Sequence, residues 1–150
     1  MNIMFICTWN ICRSAMSEWY MKKRAKEEGL NLNVCSSGIY GEEGMGASYL
    51  AKEAMEEYGV NLDSHIARVT SKTNIEEMDL ILCATMGHKR ILLQMYPVLK
   101  DKIYTMKEYA YGEDIRDKDI SDPWGYDITV YRRCAAELTD AIDKIIEKIK

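Results

Sequence analysis

A single α/β domain, doubly wound around a four-stranded parallel sheet and flanked by helices, is the fold predicted for this chain, on three observations. Near-continuous apolar runs too short for helices occur at Ile3-Met4-Phe5-Ile6 and Asp79-Leu80-Ile81-Leu82-Cys83-Ala84; strands apolar on both faces belong to parallel sheets covered on both sides. Stretches with the apolar spacing of amphipathic helices separate the strands. Strand and helix therefore alternate along a chain of 150 residues, enough for one domain with a sizeable core.

Taken in order, the first strand runs into the loop Cys7 to Ser14. A helix from about Ser14 to Glu28 follows, with Met16, Trp19, Tyr20 and Ala25 inward and Gly29 as its stop. Its basic run Lys22-Lys23-Arg24 is expected to be a solvated face. Residues 31 to 36 form the second strand, Leu32 and Val34 alternating with Asn31, Asn33 and Cys35. Gly38 to Gly46 is a loop, and a second helix spans about Ala47 to Tyr58, ending at Gly59. The third strand is the central Asp79 to Ala84 run; a helix from about Gly87 to Met95 is closed by Pro97. Lys102 to Thr105 is a short fourth strand. Gly112 to Gly125, rich in Asp, is a surface loop. The last helix, about Tyr126 to Lys150, repeats apolar residues at Leu138, Ala141, Ile142, Ile145 and Ile149.

Composition excludes several functions. An apolar share of 47% and a charged share of 29% are those of a globular protein, with no run long enough to cross a membrane. The N-terminus has no signal-like basic and apolar regions, so the cytoplasm is the expected location. Five Cys without framework spacing fit a reducing compartment rather than a disulfide scaffold. A net charge of −4 gives no support for nucleic-acid binding. Cys and His are too scattered for a zinc pattern, the two His being His65 and His88. No metal or cofactor is expected.

Chemistry concentrates in Cys7-Thr8-Trp9-Asn10-Ile11-Cys12-Arg13-Ser14. A strand end, a short loop and a helix start coincide there, an arrangement that turns unpaired backbone N–H groups and the positive helix end toward one point, where a phosphate can sit. At the rim of that point the Cys7 thiolate is favoured by the helix end, the Arg13 guanidinium and the Ser14 hydroxyl. Arg13 can return across the loop and hold two phosphate oxygens in a fork.

These residues resemble the signature loop Cys-x-x-Asn-x-Cys-Arg-Ser of the low-molecular-weight protein tyrosine phosphatase family. The resemblance continues through Ser36-Ser37-Gly38, Asp63-Ser64-His65-Ile66-Ala67-Arg68, Asp79 to Cys83 and Asp122-Pro123-Trp124, and so covers essentially the whole chain. It implies phosphorylated protein as substrate, with Cys7 as nucleophile, residues Thr8, Trp9, Asn10, Ile11, Cys12, Arg13 and Ser14 holding the phosphate, and Asp122 as general acid. The Asp-Pro pair alone is as well explained by a turn. Trp124 beside it is an apolar wall that favours the protonated carboxyl. The resemblance further implies that Ser37 and His65 buttress Asn10, and that Cys7 and Cys12 form a reversible disulfide on oxidation. Ile11, Tyr40 and Trp124 are the expected walls of a pocket deep enough for phosphotyrosine.

Two loop positions depart from the family pattern: Trp9 stands where Gly is usual and Ala15 where Pro is usual. Trp9 asks a bulky side chain to accept a conformation often left to Gly, so it either walls the pocket or impairs phosphate binding. Thr85, Lys107-Glu108-Tyr109 and Asp122-Pro123-Trp124-Gly125 look like the bacterial branch that contains protein arginine phosphatases, whose members with that activity carry Thr where this chain has Ile11. Ile11 directs the reading to phosphotyrosine, with phosphoarginine as the alternative. A phosphopeptide-binding module impaired by Trp9 is the alternative of another class. An arsenate reductase would need a second relay thiol where Arg90 stands.

Overall fold

In the computed structural model, which describes residues 1–150, the strands are β1 (Asn2–Cys7), β2 (Asn33–Gly38), β3 (Leu80–Cys83) and β4 (Ile103–Thr105). All pair in parallel, in the order β2-β1-β3-β4, with Cys7 opposite Gly38 and Ile6 opposite Cys83. Five helices cover the sheet: α1 (Arg13–Glu27), α2 (Tyr49–Glu56), α3 (Met86–Met95), α4 (Met106–Tyr111) and α5 (Ile128–Ile149). This is the doubly wound α/β sheet that the apolar runs predict.

Alternation along β1 divides the core. Ile3 and Phe5 face the larger layer, with Met16 and Met21 of α1, Met55 of α2 and Leu138, Ile142 and Ile145 of α5. Met4 and Ile6 face the smaller one, with Ile81 of β3 and Leu92 of α3. The buried stripe on α5 is the one its periodicity marks, and each such aliphatic side chain contributes roughly 1.5–3 kcal/mol by leaving water.

Departures have local causes. The second strand lies two residues later than expected, at 33 to 38, and pairs along its length with β1. The second helix is shorter because Ser48 caps it, accepting the Ala51 N–H at 3.3 Å. The unexpected α4 is set by a capping box: the Thr105 hydroxyl accepts from the Glu108 N–H at 3.0 Å, and the Glu108 carboxylate from the Thr105 N–H at 2.9 Å. The basic run on α1 is an ion-paired face rather than a freely solvated one. Lys22 meets Glu18 at 2.6 Å, Lys23 meets Glu27 at 2.9 Å, and Arg24 meets Asp143 of α5 at 2.9 Å. Within the polar stretch 112–125, Ile120 is fully buried, so that segment is anchored and not merely on the surface. No helix is long and apolar enough to cross a membrane.

The chain leaves β1 toward β2 on one side while β3 lies on the other. The carboxyl ends of these strands open on a crevice at that reversal of direction, where ligands of such sheets bind.

Candidate active site

The loop from Cys7 to Cys12 fills that crevice. Its backbone is set by two residues. Asn10 adopts φ 62°, the one positive φ outside glycine in the chain, a region that Asn enters more readily than most residues because its short amide bonds locally. Gly38 of β2 lies against the loop so closely that a Cβ there would stand 2.7 Å from Thr8 O and 2.8 Å from Asn10 N.

The Asn10 side chain, fully buried, fixes the direction of each hydrogen bond around Cys7. Its Oδ1 accepts the Arg68 backbone N–H at 3.0 Å, which leaves Nδ2 to donate, to Ser14 Oγ at 2.7 Å and to Ser36 Oγ at 2.8 Å. Each hydroxyl then passes its own proton on. Ser36 donates to Glu18 at 2.5 Å, and Ser14 donates to Cys7 Sγ at 2.9 Å. Asn10 N–H adds a second donor to the sulfur at 3.3 Å. Two donors therefore converge on one buried sulfur.

Behind the loop, His65 Nδ1 accepts from the Trp19 indole N–H at 3.0 Å, so its Nε2 carries the proton and donates to Asn10 O at 2.7 Å. Burial holds His65 below the usual histidine range, in keeping with a neutral ring in that role. Ser37, expected beside Asn10, points to the other face of β2 and bonds Thr70 Oγ1 at 2.8 Å. Ser36 takes the place assigned to it. The cause is strand pleating: adjacent residues face opposite sides, and Ser36 shares its side with Val34 and α1.

Among the amides of residues 8 to 12, that of Asn10 alone has a protein acceptor. Helix α1 begins directly after, with no side-chain cap and no acidic residue in its first turn, so its positive end faces the loop uncompensated. Arg13 is buried; its Nη1 donates to Ile120 O at 2.9 Å, its Nη2 lies 3.6 Å from Asp122 Oδ2, and its Nε is the one buried polar side-chain atom without a partner. Ile120 N–H in turn donates to Ala84 O at 2.9 Å, tying the Asp-Pro segment to the end of β3. Asp122 accepts the Trp124 N–H at 3.0 Å, forming a turn, and keeps a side chain 43% exposed at the mouth of the loop.

Sequence reasoning missed His88. At the start of α3, its Nε2 bonds Thr8 Oγ1 at 2.8 Å and its Nδ1 bonds Thr85 Oγ1 at 2.9 Å. Burial, and then the nearby Arg13 charge, push it down to about 4. The available signal was the Thr-x-x-His helix start after the third strand, since Thr85 caps α3. Arg68 and Glu18 were missed because their reach depends on tertiary contact.

Trp9 does not fill the loop. Its φ is not positive, its indole is 46% exposed, and it tilts against Tyr40 with ring centroids 6.3 Å apart. A cavity of about 350 Å³ beside the loop is lined by Trp9, Ile11, Glu42, Met45 and Trp124. Ile11 and Trp124 line this cavity, whereas Tyr40 does not and meets it only through its contact with Trp9; Met45 and Glu42 complete the lining. Ala15, the milder departure, is fully buried in α1. Cys12 is a free thiol, 3.3 Å from Tyr131 Oη and 3.4 Å from Ser48 Oγ, and burial pushes it up.

Known proteins resemble this chain over most of its length. The family described as low molecular weight phosphotyrosine protein phosphatase matches residues 2–150. A protein-arginine-phosphatase of Bacillus subtilis is 35% identical over 150 residues, covering 100% of this chain and 97% of its own. A low molecular weight protein-tyrosine-phosphatase of Acinetobacter johnsonii is 30% identical over 126 residues, covering 84% and 82%. The crystal structure of a low molecular weight protein tyrosine phosphatase from T. tengcongensis superposes with a TM-score of 0.91 at 37% identity, covering 99% of both chains.

Proposed function

This chain belongs to the low molecular weight phosphotyrosine protein phosphatase family, phosphoester hydrolases whose mechanism is cysteine-dependent, and we propose that it hydrolyses phosphotyrosine in proteins through a phosphorylated Cys7. The thiolate attacks phosphorus in line; the S–P bond forms as the P–O bond to the phenol breaks. The unpaired loop amides of residues 8, 9, 11 and 12 and the Arg13 guanidinium, with Nε available, hold the three equatorial oxygens as charge builds on them. Asp122, at the mouth, gives its proton to the leaving phenolate. In the second step the same carboxylate takes a proton from water, the water oxygen bonds phosphorus, the S–P bond breaks, and orthophosphate leaves with Cys7 again a thiolate.

The observation that carries this reading is the chain of donors ending at Cys7 Sγ, through Asn10 and Ser14. A site that only bound phosphopeptides would need no activated sulfur, and an indole standing outside the loop removes the obstruction on which that reading rested. The apolar slot of Trp9, Ile11, Met45 and Trp124 suits a phenyl ring. A second reading, phosphoarginine, is favoured by the 35% identity to a protein-arginine-phosphatase. Turnover on matched phosphotyrosine and phosphoarginine peptides decides between them: preference for phosphoarginine overturns the first. Phosphate trapped on Cys7 during turnover, and loss of turnover in Cys7→Ser, are the expected results for either substrate.

A further inference from the structure

A second cationic pocket begins at the end of β1 and β2 remote from Cys7, at Asn2 and Asn33, and extends along β2 through Cys35 to Arg68. Five residue steps of strand, ~16 Å at ~3.3 Å each, separate Asn2 from Cys7. Its volume is about 500 Å³, and Lys22, Arg68, Asn2, Asn33, Asn74 and Cys35 are among its lining residues. It wraps the outer edge of β2, which no further strand covers. Arg68 is the only arginine that is partly buried and makes no ion pair: Arg13 and Arg24 have carboxylate partners and the others are exposed. A guanidinium partly removed from water and left without an acid is an anion-binding group in want of a ligand. The side-chain amides of Asn2, Asn33 and Asn74 line it; each donates one N–H within the protein, to Glu77 O, Asn2 Oδ1 and Glu77 Oε2, and carries a second. The nearby Glu77 and Asp79 already take the Asn74 and Asn2 N–H groups and do not line the pocket.

Two routes lead from this pocket to the reactive loop. The backbone N–H of Arg68 is the donor that orients Asn10, and Arg68 O accepts Gly38 N–H at 2.9 Å, so the residue whose side chain enters the pocket is wedged against the loop by its main chain. Lys22 bonds Glu18 at 2.6 Å, Glu18 accepts from Ser36, and Ser36 accepts from Asn10. Drawing either cation toward a ligand loads Asn10, whose amide sets the donor on Cys7.

We propose that this pocket is a second anion site, which takes a small carboxylate- or phosphate-bearing metabolite on Arg68 and Lys22 and alters turnover at Cys7 through Asn10. The proposal is independent of which phosphoamino acid the enzyme hydrolyses, because its first readout is labelling of Cys35, half-buried in the pocket wall.

The test uses malonate as the dicarboxylate probe and inorganic phosphate as the second arm, on the full chain. Alkylation of Cys35 by iodoacetamide is followed by peptide mass, and kcat by hydrolysis of an aryl phosphate. At about ten times its Kd, the bound anion is expected to slow Cys35 labelling roughly tenfold, and with malonate kcat shifts by roughly twofold or more. Arg68→Gln loses both effects. Anion binding at Cys7 is told apart because it raises KM alone and survives Arg68→Gln. Protection by malonate alone identifies carboxylates as the ligand class, and protection by phosphate alone identifies phosphates. No protection by either anion, or equal protection in Arg68→Gln, overturns the site; protection without a change in kcat overturns its coupling to Asn10.

Discussion

Asn10→Asp replaces one amide nitrogen by oxygen at nearly constant shape, and it inverts the hydrogen bonds around the nucleophile. In the parent, Nδ2 donates to Ser14 and Ser36 at 2.7 and 2.8 Å, which obliges both hydroxyls to send their protons outward, to Cys7 and to Glu18. A carboxylate at this position accepts where the amide donated. The Ser14 proton turns to it and away from the sulfur, and a negative charge appears beside Cys7. A hydrogen bond to a charged group contributes roughly 1.5–3 kcal/mol, so if its loss falls on the reactive state, kcat/KM drops roughly 10- to 150-fold, at ~1.4 kcal/mol per decade. The backbone at φ 62° is retained, because Asp tolerates that region about as well as Asn. The loss should therefore appear in turnover while the fold persists. The assay is steady-state hydrolysis of an aryl phosphate beside urea denaturation of the same preparation. Turnover within threefold of the parent would mean that Ser14 does not donate to Cys7, and the proton directions derived from Asn10 would be wrong.

Two further substitutions probe the supports of the loop. Gly38→Ala places a Cβ 2.7 Å from the Thr8 carbonyl oxygen and the Trp9 carbonyl carbon, both backbone atoms that cannot swing aside; displacing the loop by a fraction of an ångström is expected to reduce kcat on the order of 100-fold, and unchanged kcat would show that β2 does not set the loop. His88 gives a pH signature: its folded value near 4 lies below the ordinary 6.5, so the unfolded chain binds more protons between those limits. Stability from this group is then complete above about pH 6.5 and declines as pH falls toward 4, with a total of about 3 kcal/mol at ~1.4 kcal/mol per unit. Urea titrations at pH 7 and 4.5 should show a smaller difference for His88→Gln than for the parent, and equal differences would assign the acid sensitivity elsewhere.

What the sequence disclosed and what it hid divide along the range of the interactions. Strand, loop and helix start are local, so Cys7 to Ser14 and the parallel sheet could be read directly from apolar runs and motif spacing. The expectation for Ser37 fails although its correction is also local: Leu32 and Val34 mark the apolar face of the strand, and the period of two carries that face to Ser36, not to the residue after it. Extending the alternation two more positions would have found the correct hydroxyl. The fourth helix likewise announced itself in Thr105-Met106-Lys107-Glu108, a capping pattern at the end of a strand.

Asp122 illustrates the other case. Nothing within its own segment brings a carboxylate to Arg13; the placement comes from Ile120, two residues earlier, whose side chain is fully buried, whose N–H bonds Ala84 after β3 and whose carbonyl receives Arg13. One apolar residue in an Asp-rich stretch thus serves as the tether of a loop that composition alone describes as surface. Its carbonyl satisfies Nη1 and leaves Nε without a partner, so the same contact that fixes Asp122 also holds the guanidinium in the loop with a donor unspent. The Asp122 carboxylate and the Arg13 guanidinium are therefore positioned by one buried backbone group, and the distance between them is set by a strand end rather than by the mobility of an exposed turn.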